Sequence, residues 1–145
     1  MVRWVTEEAL NLDALLRETE DVSCGALVVF GGTVRDLNDG REVTGMSYDA
    51  HVALAASTLE ALEREAKERF GVPQCRAMHR VGALELGEAS VYVVVRSPHR
   101  PAAFEAGRWM IDTLKQRLPV WKEEHYVDAT SRHLDGVPLT APEEP

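Results

Sequence analysis

One segment, running from Arg96 to Glu124, constrains this chain more than any other. Ala103, Phe104, Gly107, Met110, Ile111, Leu114 and Leu118 recur at helical spacing, so the periodicity predicts a helix from about Pro101 to Leu118. Pro101 suits a first turn, where an amide hydrogen would have no partner, and Pro119 stops the ladder. Cations sit at both ends: His99 and Arg100 at the start, Lys115 and then Lys122 at and beyond the close. Arg100 and Lys115 are fifteen residues apart, which on an unbroken helix is ~22 Å at 1.5 Å per residue. A small ligand does not bridge that gap. Either the two clusters serve different sites, or one protomer supplies His99 and Arg100 while a second supplies Lys115 and Lys122, in a symmetric dimer.

The charge around this rod indicates what it attracts. Arg96 to Lys122 holds six Lys/Arg against two acids, within a 145-residue chain of formal net charge −8. Local positive charge on an acidic protein points to a small anion and argues against nucleic acid, which needs a broad basic face. No apolar run approaches the ~20 residues of a membrane span, and residues 1–8 lack the apolar core of a signal peptide, so a cytoplasmic protein with no membrane partner is expected. Cys24 and Cys75 are the only cysteines and are expected to be reduced packing residues. Cys75 and His79 make a C-x3-H pair, short of the three or four ligands that zinc requires, so neither a metal nor a cofactor is expected.

Elsewhere the pattern alternates strands and helices. Val2–Val5, Gly25–Phe30, Val43–Tyr48, Cys75–Val81, Ala89–Arg96 and Val120–Val127 read as strands, with Gly82–Glu88 a connection and Asp36–Arg41 a polar turn. Thr6–Glu20 suggests a helix with Asp13 as a possible N-cap, and His51–Phe70 is an amphipathic helix closed by Gly71. The order implies an α/β (α+β) fold, a mixed sheet covered by helices. Residues 1–127 form one domain and 128–145 a polar, flexible tail.

Each candidate has a plainer alternative. Free amides at the helix start, with His99 and Arg100, make an anion pocket, yet Ser97 could simply cap the helix beside two solvated side chains. Lys115, at the edge of the apolar stripe, could snorkel to water. Lys122 alternates with Trp121 on a strand, and Arg35 could be a surface arginine after the paired glycines Gly31 and Gly32.

Gly25–Asp36 (GALVVFGGTVRD), His79–Glu88 (HRVGALELGE), Ser97–Arg100 with Ala103–Ala106, Ile111-Asp112-x-Leu114-Lys115, and Pro119–Glu124 (PVWKEE) together resemble the large, catalytic subunit of molybdopterin synthase, in that family's order and spacing. The resemblance implies the α/β hammerhead fold and a sulfurtransferase. Cyclic pyranopterin monophosphate becomes molybdopterin by gaining two dithiolene sulfurs, as part of molybdenum cofactor biosynthesis. The sulfur comes from the thiocarboxylated C-terminal Gly-Gly of a small ubiquitin-like partner. Two large subunits form a homodimer with a small subunit at each end, a heterotetramer whose sites draw on both large subunits. Lys115 and Lys122 match the family's lysines near the thiocarboxylate. Thr33, Val34, Arg35, His99, Arg100, Glu123 and Glu124 match positions around the pterin phosphate.

Two departures stand out. Arg96 replaces a residue that is often small, which predicts a more basic pocket rim. The tail lacks the tryptophan common in the family, and the chain ends in Pro145 and not Gly-Gly, so the sulfur donor is expected to be a separate protein. Read without the resemblance, the residues also fit an unrelated phosphoester-binding enzyme with His99 as general acid, or a non-catalytic module gripping an acidic peptide.

Overall fold

The computed structural model of the chain describes residues 2–127 and 131–133. The valine-rich run Ala89–Ser97, strand β7, is the spine of the fold. Val93, Val94 and Val95 are fully buried, and strand alternation sends Val93 and Val95 to one face and Val94 to the other. A strand buried on both faces needs cover on both. Helices α2 (Val52–Phe70) and α3 (Arg100–Arg117) supply it on one side, and on the other the short α1 (Leu12–Glu18) packs Leu15 against Val94 and the neighbouring strand's Met78.

Around β7 lies a four-stranded sheet in the order β1-β5-β7-β2, with β1 (Val5–Thr6), β5 (Gln74–Arg80) and β2 (Ala26–Thr33). Only β1 and β5 run parallel. A second sheet is built on the long β4 (Arg41–Ala50), which pairs with β8 (Val120–Tyr126) and with β6 (Gly82–Glu85). It continues to β3 (Leu37–Asn38) through a hairpin and to β9 (Ser131–His133) beyond β8. Asp39 and Gly40, at φ 52° and 75°, form that hairpin's turn, the left-handed geometry that a two-residue loop demands.

The α+β class and the helix–strand order expected from the pattern hold, but the sheet is two sheets. Gly82–Glu85 pairs with β4 and is not a mere connection. The α1 cap is Asn11, whose side chain accepts from Ala14 N at 3.1 Å, while Asp13 lies within the first turn. Ser131–His133, inside the segment expected to be a loose tail, is a strand; 128–130 and 134–145 lie outside the described residues. No described helix is long and apolar enough to cross a membrane.

The paired glycines in β2 have a packing cause. A Cβ on Gly31 would come within 2.9 Å of Tyr92 Cε1, and one on Gly32 within 2.8 Å of Val91 Cγ1. Beyond Gly32 the register with β7 slips before Thr33, and such a bulge redirects the chain. Here the redirected residues are Val34 and Arg35, at the mouth of a cleft.

Candidate active site

That cleft, of about 210 Å³, opens between the end of β2, the last turns of α3 and the inner face of the second sheet. Register explains which side chains meet there. On β8, Val120, Lys122, Glu124 and Tyr126 are buried while the residues between them are not, so period-two alternation turns Lys122 and Glu124 to the same side. Lys122 lies opposite Tyr48 and Glu124 opposite Met46 on β4, and all four line the cleft. On α3, Ile111 and Lys115 stand one turn apart and line it together. Arg35 arrives from the bulged end of β2, so three cations from three elements share one concavity.

The cleft also holds acceptors. Glu124 is 2% exposed, and its Oε2 accepts from Asn38 Nδ2 at 2.6 Å and from the Tyr126 hydroxyl. His79 is fully buried and in edge contact with Tyr48, ring centroids 5.1 Å apart. Burial pulls its imidazole down to about 4, partly offset by the hydrogen bond to Arg80 O. A neutral ring whose Nδ1–H donates to that carbonyl, at 2.7 Å, keeps Nε2 as an acceptor. Cations and acceptors on one wall suit a ligand that is anionic in one part and rich in N–H donors in another.

Comparison with known proteins identifies the lineage. Residues 5–117 match the family model described as MoaE protein. The chain belongs to the MoaE family. It is 40% identical over 117 residues to a molybdopterin synthase catalytic subunit of Pyrococcus abyssi, covering 81% of this chain and 79% of that one. It is also similar to a crystal structure of molybdopterin synthase from Staphylococcus aureus, at TM-score 0.85 and 28% identity, over 90% of this chain and 94% of the other. A further neighbour is a chain in the complex of subunits 1 and 2 of the molybdopterin-converting factor of Helicobacter pylori. Its TM-score is 0.74 at 26% identity, over 91% of this chain and 89% of that one.

Within this MoaE chain the expected site residues divide. Thr33, Val34, Arg35, Lys115, Lys122 and Glu124 all line the cleft. His99 and Arg100 do not: they border a separate shallow hollow with Leu27 and Phe104, beside the start of β2. The separation inferred from the helix length is therefore the separation in space. Glu123 points to the other face of β8, with its carboxylate 3.9 Å from His125 Nε2, so Glu123 and Glu124 cannot both serve the cleft of one chain. Arg96 is not on a pocket rim. It reaches back to α1, donating to Thr19 Oγ1 at 3.1 Å and Leu16 O at 3.0 Å, where a cation complements a helix C-terminus. Ser97 is a buried end of β7, and His99 occupies the α3 N-cap position without a side-chain cap bond. Phe104, expected on the buried stripe, is 62% exposed.

Two polar residues of the cleft wall, and a third that braces Glu124 from behind it, were not expected. Asn38 hid in an N-D-G turn signature, and His79 in a strand where a lone histidine reads as core. Tyr126 was within reach, since the alternation that separates Lys122 from Trp121 also sets Tyr126 beside Glu124. Cys75 is buried outside the cleft, and desolvation pushes its thiol up to about 12, which leaves it inert as a nucleophile.

Proposed function

We propose that this chain is the catalytic, large subunit of a cytoplasmic molybdopterin synthase. It acts on cyclic pyranopterin monophosphate and takes two sulfurs from the thiocarboxylated C-terminus of a small ubiquitin-like partner. The observation that carries the reading is the convergence of Arg35, Lys115 and Lys122, from three separate elements, on one cleft. Family membership and the two-subunit Helicobacter complex support the same reading.

Lys115 is the main catalytic group. Half-buried on α3 beside Ile111 and Leu114, its ammonium holds the incoming thiocarboxylate and steadies the oxyanion that forms when water adds to the acyl carbon and that collapses to a carboxylate as the sulfur departs on the pterin. Lys122, 5% exposed, adds a second positive charge where little water competes. Glu124, fixed by Asn38 and Tyr126, sets the position of what lies between them. Thr33, Val34 and Arg35 contact the pterin phosphate of the same cleft. His99 and Arg100 act in the cleft of the second large subunit. Supporting that arrangement, Leu27 and Phe104 are 45% and 62% exposed next to His99 and Arg100, and Val29, further along the same face of β2, is 39% exposed, an apolar surface that a second protomer would cover. A small subunit at each end completes the heterotetramer.

Reconstitution with the thiocarboxylated partner and cyclic pyranopterin monophosphate tests this. Lys115→Ala should lower dithiolene formation at least about 100-fold, the scale of losing one oxyanion-stabilising group, with the oligomer intact. Arg100→Ala should be similarly impaired, and mixing the two inactive variants should restore part of the activity through hybrid dimers. Full activity of Lys115→Ala would remove the lysine from its role. No recovery despite proven subunit exchange would place each site within one chain.

A further inference from the structure

One residue of the cleft wall carries a buried polar atom that the chain itself leaves unmatched. Asn38 is 8% exposed, and its Oδ1 is the one buried side-chain nitrogen or oxygen among the described residues with no hydrogen-bond partner. Buried amide oxygens in folded proteins are nearly always paired, so an orphan in a cleft wall needs an explanation. The amide is not free to turn over. Its Nδ2 donates to Glu124 Oε2 at 2.6 Å, and reversing it would set oxygen against a carboxylate oxygen that already accepts from Tyr126. Nor can the residue slide away, because the tight Asp39–Gly40 turn holds Asn38 opposite Arg41 in the β3–β4 hairpin.

We infer that Asn38 is a specificity-determining residue whose Oδ1 accepts an N–H of the substrate's heterocycle. This rests on the pterin reading above. A 2-amino-4-oxo pterin carries a ring N–H and an exocyclic amino group side by side, and such an edge needs acceptors. Arg35, Lys115 and Lys122 donate only; Asn38 Oδ1, the Nε2 of neutral His79 and the Glu124 carboxylate accept, and of these Asn38 Oδ1 is the one with no partner in the chain. Heterocycles of the same shape that lack those donors leave Oδ1 buried and unpaired, the most effective way for a site to reject a near-isostere. The same amide links recognition to chemistry. A donor on Oδ1 polarises the Nδ2–H that holds Glu124, so a correctly bound ring tightens the carboxylate's position.

The test is a cycle between residue and ligand, read as equilibrium binding to the wild-type oligomer without the sulfur carrier, so that no turnover occurs. The probes are cyclic pyranopterin monophosphate, its analogue lacking the 2-amino group, and its N3-methylated analogue. Wild-type protein should bind at least one analogue about 10-fold or more weakly than the parent. Asn38→Leu should bind the parent correspondingly weakly and show no further loss for that analogue. Asn38→Ser, which suits the turn, carries the same cycle if the leucine variant does not fold. Equal losses in wild type and variant, or no loss for either analogue in wild type, overturn the role of Asn38 while leaving the synthase reading intact. Failure of the parent pterin to bind at all overturns both.

Discussion

Two buried glutamates, Glu63 and Glu124, look alike and do different things. Glu63, on α2, is 5% exposed, and its Oε2 accepts from Trp4 Nε1 at 3.0 Å, Arg76 Nε at 3.0 Å and Ala77 N at 2.8 Å. Glu124 is equally hidden and its Oε2 likewise collects donors. The difference lies at the far ends of those donors. Arg76 goes on to bind Glu18 and, at 2.9 Å, Val2 O, so the Glu63 network closes on protein and pins the N-terminal segment to the sheet. Asn38, on the Glu124 side, lines the cleft and keeps a buried oxygen that no group of the chain pairs. A buried carboxyl whose partners are all satisfied holds architecture together; one whose partner is left open faces a ligand.

The largest effect should come from deleting each carboxylate in turn. Glu63→Ala removes the acceptor shared by the Arg76 guanidinium, the Trp4 indole N–H and the buried Ala77 amide, and should cost ~3 kcal/mol in denaturant unfolding. Glu124→Ala leaves its donors beside a cleft that water can enter, so its stability loss should stay at ~1–2 kcal/mol while dithiolene formation collapses. Equal destabilisation by both substitutions would break the distinction.

Much of the frame behind this contrast was legible in the sequence, and the reasons the rest was not are physical. The α3 rod, its proline stop and the β-branched run of β7 are local patterns, and local patterns survive folding. The division of Arg100 from Lys115 followed from helix rise alone. Strand β6 was missed because Gly82–Glu85 becomes a strand only by finding β4, some forty residues earlier. The closeness of Asn38 and Glu124 joins positions 86 residues apart in a hairpin and a separate strand, which no window of sequence reports. Glu123 was grouped with Glu124 although strand alternation alone separates them.

Proton linkage sharpens the comparison at intermediate size, because the two regions carry opposite slopes. Burial pushes the Glu63 carboxyl from 4.5 up to about 7, so the folded chain holds a proton that the unfolded chain has released. Its contribution is complete below pH 4.5 and is lost as pH rises through 7. His79, in the cleft wall, is pulled from 6.5 down to about 4. Its contribution is present above pH 6.5 and is lost as pH falls through 4. Between pH 4.5 and 6.5 the two offset each other at up to ~1.4 kcal/mol per pH unit each. Glu63→Gln should therefore leave stability rising with pH across that window, and His79→Gln should leave it falling. Denaturant midpoints at half-unit steps of pH would show this, and the same slope in both variants would refute the assignment.

The smallest effect should come from an ion pair of similar chemistry in open solvent. Arg117 Nη1 lies 3.1 Å from Glu65 Oε2 across α2 and α3, but the two side chains are 54% and 43% exposed. Water already solvates both ions when they are apart, and fixing two long side chains costs rotamer entropy, so little net attraction remains. Glu65→Gln should shift stability by less than about 0.5 kcal/mol, and 1 M salt, with a screening length near 3 Å, should erase even that. Glu63 sits on the same helix two residues earlier, facing inward, so the two sites share residue type and helix but differ in access to water and in the number of donors they hold. A loss from Glu65→Gln approaching that from Glu63→Ala would mean that helix–helix docking, and not exclusion of water, governs what these carboxylates are worth.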